Sequence, residues 1–421
     1  MKMKRHRFYA CLLTVMTLAG FTACSSTDND GVTDGQTVNG KSQLTLTINT
    51  MGTRAAMTSD PTDEKTINRV TVGIFDASGN VRTIQEFKSG DGTVGSNTFK
   101  TDNGSTKMNI VTNKLEEGDQ VLVAVNAPSG KFQGAQTVSD FQSKSVDAGR
   151  ALATNASNEE KAQADPVANN APMFGSAKLA EPAKDATAYT ATVNVSHLTA
   201  KISLEDIEVA FDPNGSYQNA TFSPTEIYIE HVVDGLNFNP EAGSWFDPSK
   251  STLLTGAIGV TGAKTYLTTG EIKDVKLYGA EKASTAKMTN HNYYFYVTPS
   301  SYDTPSGIGA NAVRIWIKGL FDPDGDGTTP ATTVFYPVLL NVTYDPDGKA
   351  SAAEKGTDVY KVYPNKNYTC NVVIKTKGLP GSGTDGQGQP TAGNDELKPQ
   401  QATITVTVNN WTPVSSTTTF E

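Results

Sequence analysis

The strongest constraint on the fold is a two-residue alternation of threonine with aliphatic side chains. The segment Gln43-Leu-Thr-Leu-Thr-Ile-Asn49 places three aliphatic residues on one face, and Ala402-Thr-Ile-Thr-Val-Thr-Val-Asn-Asn-Trp411 has the same order. A period of two is typical of a β-strand with one buried face. The 421 residues also include 37 Gly and 20 Pro, which favour turns. The alternation therefore predicts a mostly β protein.

Further apolar segments, separated by Gly, Asn and Asp turns, predict strands along the rest of the chain. They lie at residues 68–76, 80–87, 107–112, 120–127, 189–195, 201–211, 226–233, 292–297, 313–318, 334–344 and 367–375. Amphipathic helices do not separate them, which favours antiparallel sandwiches, and the length suits roughly two domains. Residues 137–163 are rich in Ala, Lys, Gln and Glu and predict a short helical excursion, whereas residues 169–175 predict a loop.

The first thirty residues have the pattern of an export signal. A basic start precedes the apolar stretch Phe8 to Gly20, which is too short for a stable membrane span. The run then ends Phe21-Thr-Ala-Cys24 and turns polar, which resembles the lipobox and tether of a bacterial lipoprotein. We expect lipid on Cys24, with ordinary signal cleavage as the alternative. The acidic residues Asp28 and Asp30 resemble the surface-export signal of Bacteroidetes lipoproteins.

Catalytic and metal-binding side chains are scarce. The chain has four His and three Cys, without the spacing of a zinc site, a nucleophile elbow or a phosphate-binding loop. We expect no enzyme activity, cofactor or metal, and we expect Cys370 to be a buried strand residue. The formal net charge of −9 repels phosphate, so nucleic acid is not an expected partner.

One acidic turn resembles the start of a calcium loop. Asp322, Asp324 and Asp326 occupy alternate positions, as the first ligands of such loops do. Thr333 stands where the bidentate Glu would be required. The sequence therefore favours a solvated turn between strands.

Two features rise above this background. A single arginine, Arg54, lies among small residues in a segment without strand periodicity, which suits a trypsin-like protease, although a merely solvated arginine remains open. The orders Leu44-Thr-Leu-Thr-Ile-Asn49 and Ile404-Thr-Val-Thr-Val-Asn409 match, so one strand could occupy the place of the other, although chance alternation remains open. The Gly-rich residues 378–395 predict a flexible link that isolates the last strand from the preceding domain.

Taken together, these features resemble the fimbrillins, the major subunits of the type V fimbriae of Bacteroidales. The residues that carry the resemblance are the lipobox at Cys24, the strand at 43–50, Arg54, the Pro-Met-Phe-Gly segment at 172–175, Asn365-Lys-Asn-Tyr368, the Gly-rich link and the terminal Val406-Thr-Val-Asn-Asn-Trp411.

The resemblance implies two transthyretin-like β-sandwich domains in an exported lipoprotein. An Arg-specific protease would cut between Arg54 and Ala55 and release the first strand, with Leu44, Leu46 and Ile48. A neighbouring copy would then fill the exposed groove with its last strand, which carries Ile404, Val406, Val408 and Trp411.

The resemblance also divides the chain and names its partners. The segments are a signal peptide at 1–23, a removed tether and first strand at 24–54, β-sandwich domains at 55–187 and 188–377, a link at 378–400 and the donor strand at 401–421. The partners are further copies in a head-to-tail polymer, tip and anchor subunits, an Arg-specific protease, and the outer membrane through lipid before cleavage. The product would be a cell-surface fimbrium that supports adhesion.

Two alternatives remain open from the sequence. A monomeric surface lipoprotein that binds glycan would expose aromatic residues, and Tyr293, Tyr294, Phe295 and Tyr296 form a cluster, which we assign to packing. A tip or anchor subunit is the other alternative. An anchor needs no Arg54 and a tip needs no donor strand, and this chain has both features.

Overall fold

The computed structural model describes residues 42–50, 66–102, 105–152, 171–182, 188–241, 243, 245–246, 251–279, 287–301, 311–344, 349–381 and 402–410. Within these ranges the chain is mostly β, as predicted. The strands are β1 Ser42–Thr50, β2 Arg69–Phe75, β3 Val81–Ser89, β4 Thr98–Asp102, β5 Ser105–Thr112, β6 Gln120–Val125, β7 Ser145–Val146, β8 Met173–Lys178, β9 Tyr189–His197, β10 Ala200–Val209, β11 Thr221–Val233, β12 Leu236–Asn237, β13 Leu253–Thr255, β14 Leu277–Tyr278, β15 Lys287–Val297, β16 Arg314–Asp322, β17 Thr332–Leu339, β18 Thr343–Tyr344, β19 Ala350–Ser351, β20 Lys366–Ile374, β21 Leu379–Pro380 and β22 Ala402–Asn410. The helices are α1 Val138–Gln142 and α2 Ala148–Leu152, and Thr265–Leu267 forms a short 3₁₀-helix.

The N-terminal strands form a closed barrel in the order β1-β5-β4-β3-β2-β6-β8-β9. β1 joins the two ends of this sheet, because it pairs with β5 on one side and with β9 on the other. Alternate side chains of each strand point inward, so the barrel interior is a packed apolar core. The barrel is therefore complete only while a strand lies between β5 and β9.

The closed barrel corrects the β-sandwich expected for the first domain. β9 pairs with β8 as well as with β1, so the barrel extends through His197 and past the boundary expected near residue 188. The physical reason is that Val193 and Val195 of β9 lie in the same core as β1 and have no exposed surface. A sandwich would leave backbone groups of β1 or β9 unpaired at an edge.

The predicted helical excursion consists of two short helices in the described residues. The Thr137 hydroxyl oxygen accepts from the Asp140 backbone N–H at 3.0 Å, and the Asp140 carboxylate accepts from the Thr137 N–H at 3.1 Å, so α1 begins with a capping box. Phe141 of α1 stacks on Phe132 with ring centres 4.1 Å apart. Residues 153–163 of the predicted helical region lie outside the described residues. In the described part, no helix combines the length and apolar character needed to cross a bilayer.

The second half of the chain forms two sheets that share one core. One sheet has the order β15-β10-β20-β22, and the other has the order β13-β11-β16-β17-β21 with β14 paired to β11. Apolar residues of both sheets, such as Ile202, Ile229 and Val372, belong to one buried cluster. Cys370 is fully buried there, as predicted, and burial raises the pKa of its thiol to about 12. A thiol in this state is unreactive at neutral pH.

The segment predicted as a loop at 169–175 enters a strand instead. β8 begins at Met173 and includes Gly175. A Cβ atom at Gly175 would lie 2.3 Å from the Asn194 carbonyl oxygen, so only glycine lets β8 approach β9 this closely. Glycine contributes no side chain to an alternating pattern, which is why the sequence did not indicate this strand.

Candidate functional site

The first strand occupies a central position and forms ladders on both sides. Leu44 pairs with Ile110 of antiparallel β5 and with Tyr189 of parallel β9. We call this position between β5 and β9 the β1 slot. Removal of β1 would leave two facing strand edges with unpaired backbone groups and an open groove between them.

The inner face of β1 is fully buried. Leu44, Leu46 and Ile48 have no exposed surface, as the alternating pattern predicted. Burial of each such side chain contributes about 1.5–3 kcal/mol. The residues that pack in the same cluster are Val70, Val72, Ile74, Phe87, Phe99, Met108, Ile110, Leu115, Val121, Val123, Val125, Met173, Leu179, Val193 and Val195. β1 is therefore a structural part of the barrel core, and an empty β1 slot would expose this core.

The Leu46→Ala change is expected to destabilise the uncut protein by about 2–5 kcal/mol, because it creates a cavity in the barrel core. Thr47→Ala, on the outer face of the same strand, is the matched control and should cost less than about 1 kcal/mol. Denaturant unfolding of the two soluble variants measures the difference. Equal midpoints for both variants would contradict the central role of β1.

The outer face of β1 carries a short polar network at each end. The Thr45 hydroxyl donates to the Asn109 side-chain oxygen at 3.2 Å. Near the other end, the Asn49 amide donates to the Asn194 side-chain oxygen at 3.4 Å and accepts from the Ser105 hydroxyl at 3.1 Å. These contacts bind β1 to both neighbouring strands at fixed positions. The sequence does not predict these contacts, because no local pattern relates residue 49 to residues 105 and 194.

Asn126 holds the chain where it re-enters the barrel after β1. Its amide donates to the carbonyl oxygens of Thr66 at 2.8 Å and Ala171 at 3.2 Å, and its side-chain oxygen accepts from the Asn68 N–H at 3.0 Å. It has a backbone φ of 59°, a conformation that Asn adopts more readily than most residues. A cut before Thr66 would therefore leave the start of β2 attached to the barrel. Arg54 and Ala55 lie outside the described residues.

The last strand adds to its own C-terminal sheet, which corrects the expectation that the link isolates it. β22 pairs antiparallel with β20 over nine residue pairs, from Lys366 with Asn410 to Ile374 with Ala402. Residues 404, 406 and 408 lie opposite Val372, Cys370 and Tyr368. Within the described residues β22 is the outermost strand of this sheet, so it has one neighbour. Trp411 and the side chains of β22 lie outside the described residues.

The three histidines beyond the signal region lie on separate strands. His197 ends β9 in the barrel and is 4% exposed, and His291 lies on β15, with its side chain outside the described residues. His231 lies on β11 with its Nδ1 atom 3.3 Å from the Ala312 carbonyl oxygen. Burial and the nearby Arg314 guanidinium lower its pKa. This arrangement lacks the base and nucleophile pair of a hydrolase among the described side chains.

The acidic turn after β16 satisfies its own carboxylates. Asp322 accepts from the Gly325 N–H at 3.1 Å, Asp324 accepts from the Asp326 N–H at 3.4 Å, and Asp326 accepts from the Thr328 N–H at 2.8 Å. No group of three or more metal-binding side chains converges anywhere in the described residues. The turn is a hydrogen-bonded connection between β16 and β17.

The aromatic cluster of β15 is mostly packing. Phe295 and Tyr296 are 4% and 2% exposed, and Tyr293 and Tyr294 are half-buried against the core. The Lys201 ammonium lies 5.0 Å from the centre of the Tyr294 ring. These contacts leave little aromatic surface for a sugar ring.

Comparison with known proteins supports the fimbrial resemblance. Residues 42–206 match the family model of the major fimbrial subunit protein (FimA), and this range contains every strand of the barrel. The predicted resemblance to the Bacteroidales fimbrillins is thereby confirmed. No curated protein matches the chain in sequence.

Solved structures with the same fold include a fimbrilin (FimA) from Porphyromonas gingivalis W83, with 17% identity, a TM-score of 0.53 and coverage of 89% of this chain and 99% of that chain. A candidate cell adhesion protein from Bacteroides eggerthii DSM 20697 has 18% identity, a TM-score of 0.54 and coverage of 91% and 98%. A second, from Parabacteroides distasonis ATCC 8503, has 15% identity, a TM-score of 0.55 and coverage of 88% and 98%. At these identities the likeness shows the fold.

Proposed function

We propose that this fimbrillin-like chain is a stalk subunit that polymerises by exchanging its own β1 for the β22 strand of a neighbouring copy. The observation that carries the proposal is the position of β1. It is a central strand with a fully buried inner face, and it ends at Thr50, four residues before Arg54. After a cut at the Arg54–Ala55 bond, only non-covalent contacts would hold β1 in the barrel.

Once β1 has left the slot, entry of the donor strand is favourable because that strand gains a neighbour. In its own subunit β22 forms one ladder, with β20, whereas a strand in the β1 slot forms ladders with both β5 and β9. Each added ladder hydrogen bond contributes about 0.5–1.5 kcal/mol. In the empty slot, Ile404, Val406 and Val408 would take the places of Leu44, Leu46 and Ile48, and burial of each side chain there contributes about 1.5–3 kcal/mol.

The remaining parts of the proposal come from the family resemblance. The chain would be exported with residues 1–23 as signal peptide and lipid on Cys24, and would stay on the outer membrane until an Arg-specific protease removes residues 24–54. The transthyretin-like form of the second domain and the contacts with tip and anchor subunits belong to the same proposal. The flexible link, expected from the sequence at 378–400, would begin only after Leu379–Pro380, because these residues form β21 and pair with β17. The polymer would be a surface fimbrium that supports adhesion, without enzyme activity of its own.

The direct test is the N-terminal sequence of polymer sheared from the cell surface. We expect mature subunits to begin at Ala55, because the protease would cut after Arg54 in the segment that follows β1. The membrane-bound precursor, analysed in parallel, should begin at a lipid-modified Cys24. Polymer that begins at residue 24, or at any residue before β1, would contradict the proposal.

A further inference from the structure

Alternation alone does not fix the register of an exchanged strand. Because side chains of a strand repeat every two residues, a shift of two positions keeps the aliphatic residues inward and the polar residues outward. The donor strand is nearly uniform in this respect, with threonine at 403, 405 and 407 and aliphatic residues at 404, 406 and 408. If β22 fills the β1 slot, as proposed above, something other than this pattern must set its position.

The uniform pattern ends at Asn409 and Asn410. When Ile404 takes the place of Leu44, Asn409 takes the place of Asn49, and Asn410 takes the place of Thr50. Asn49 bonds to Ser105 on β5 and to Asn194 on β9 in the described structure. An identical side chain at the same position can form both bonds. Thr50 ends β1 and is partly exposed, so an amide is tolerated there.

Shifted registers lose these contacts. If the strand moves two residues further into the slot, Asn410 takes the place of Ile48, which has no exposed surface, and its amide is buried among apolar side chains. If the strand moves the other way, Ala402 replaces Leu44 and leaves a cavity, while Thr407 replaces Asn49. The asparagine pair opposes the first shift, because that shift would bury the Asn410 amide.

We infer that Asn409 and Asn410 form a register stop for the donor strand. Asn409 bonds to Ser105 and Asn194 of the accepting copy, and Asn410 stays at the end of the slot because its amide cannot enter the core. The inference rests on the proposed strand exchange and adds the residues that determine where the exchange ends.

Disulfide formation between subunits reports the register. Gln43 lies directly opposite Val111 on β5, so an in-register donor places residue 403 opposite Val111 of the accepting copy. A shift of two residues into the slot places residue 405 there. Each test protein therefore carries Val111→Cys together with either Thr403→Cys or Thr405→Cys. Cys370 does not compete, because its thiol is fully buried.

The decisive variant is Asn409→Thr/Asn410→Val, which continues the alternation to residue 410. With the natural asparagine pair, polymers should crosslink through 403, and the yield through 405 should be below about one tenth of that. In the double variant the yield through 405 should rise at least about fivefold, because both registers then bury only aliphatic residues. Thr407→Val, which adds an aliphatic side chain and keeps both asparagines, should keep the natural ratio.

The outcomes distinguish failure of the register stop from failure of strand exchange itself. Crosslinks only through 403 in the double variant would overturn the register stop and leave strand exchange standing. Polymers that form without an intersubunit crosslink through either position would overturn strand exchange as well. If the double variant does not polymerise, the single variant Asn410→Val is tested in its place. A higher crosslink yield through residue 405 in this variant supports the register stop, and an unchanged ratio of the yields through 405 and 403 contradicts it.

Discussion

Val406→Asp is expected to give a subunit that accepts a neighbour's strand but cannot donate its own. In the β1 slot, residue 406 would replace Leu46, which has no exposed surface. An unpaired carboxylate there would weaken binding of the strand in the slot by about 3–5 kcal/mol. In its own subunit the same residue lies on the outermost strand but directly opposite the buried Cys370, so the stability of isolated Val406→Asp has to be measured alongside its incorporation.

The measurement is the position of tagged Val406→Asp subunits in filaments assembled with an excess of wild type. We expect the tag only at one end of each filament. Thr405→Asp is the matched control, since it places the same carboxylate at the partly exposed position of Thr45, and it should appear along the whole filament. Equal incorporation of both variants would contradict donation through β22. Unfolding of isolated Val406→Asp would show that the strand belongs to the core of its own domain.

Arg54→Ala is expected to abolish polymer formation by the opposite defect. Without the cut, β1 stays covalently attached and continues to fill its slot, so the subunit can donate a strand but cannot accept one. Cell-surface protein should run as a full-length monomer, and high-molecular-weight ladders should disappear. Lys65→Ala removes the other basic residue between β1 and β2 and should be cut and assembled as wild type. Ladders formed by Arg54→Ala would show that this cut is not the trigger.

A mixture of the two variants should undergo one strand exchange and then stop. A mixture of Arg54→Ala and Val406→Asp contains one species that only donates and one that only accepts. The expected product is a heterodimer, measured by size-exclusion chromatography with light scattering, because neither end of that dimer can be extended. Longer chains in the mixture, or failure to form the dimer when both variants are folded, would contradict the exchange.

The sequence predicted individual strands well where the alternation is strict and failed where contacts are distant. Leu44, Leu46 and Ile48 are buried as their spacing indicated. The parallel pairing of β1 with β9 joins residues far apart in the chain, and no local pattern carries that information. The barrel was therefore not predicted, although six of its eight strands were, with β4 and β8 as the exceptions.

Two smaller differences have local causes. β11 begins at Thr221 and not at Glu226, because a register shift between Pro224 and Glu226 accommodates a proline that would disfavour a regular strand. The docking of β22 on β20 was missed for another reason. A flexible link limits how far a strand can reach, but it does not decide which free edge the strand pairs with.

The orientation of β1 has a consequence for the symmetry of any fibre built through its slot. An occupant that preserves both ladders must run antiparallel to β5 and parallel to β9, so a reversed strand would not reproduce them. Each subunit would therefore be related to the next by the same rotation and translation along a screw axis, without a dyad perpendicular to it. Such a fibre has a direction, and its two extremities present chemically different surfaces to the cell and to the environment.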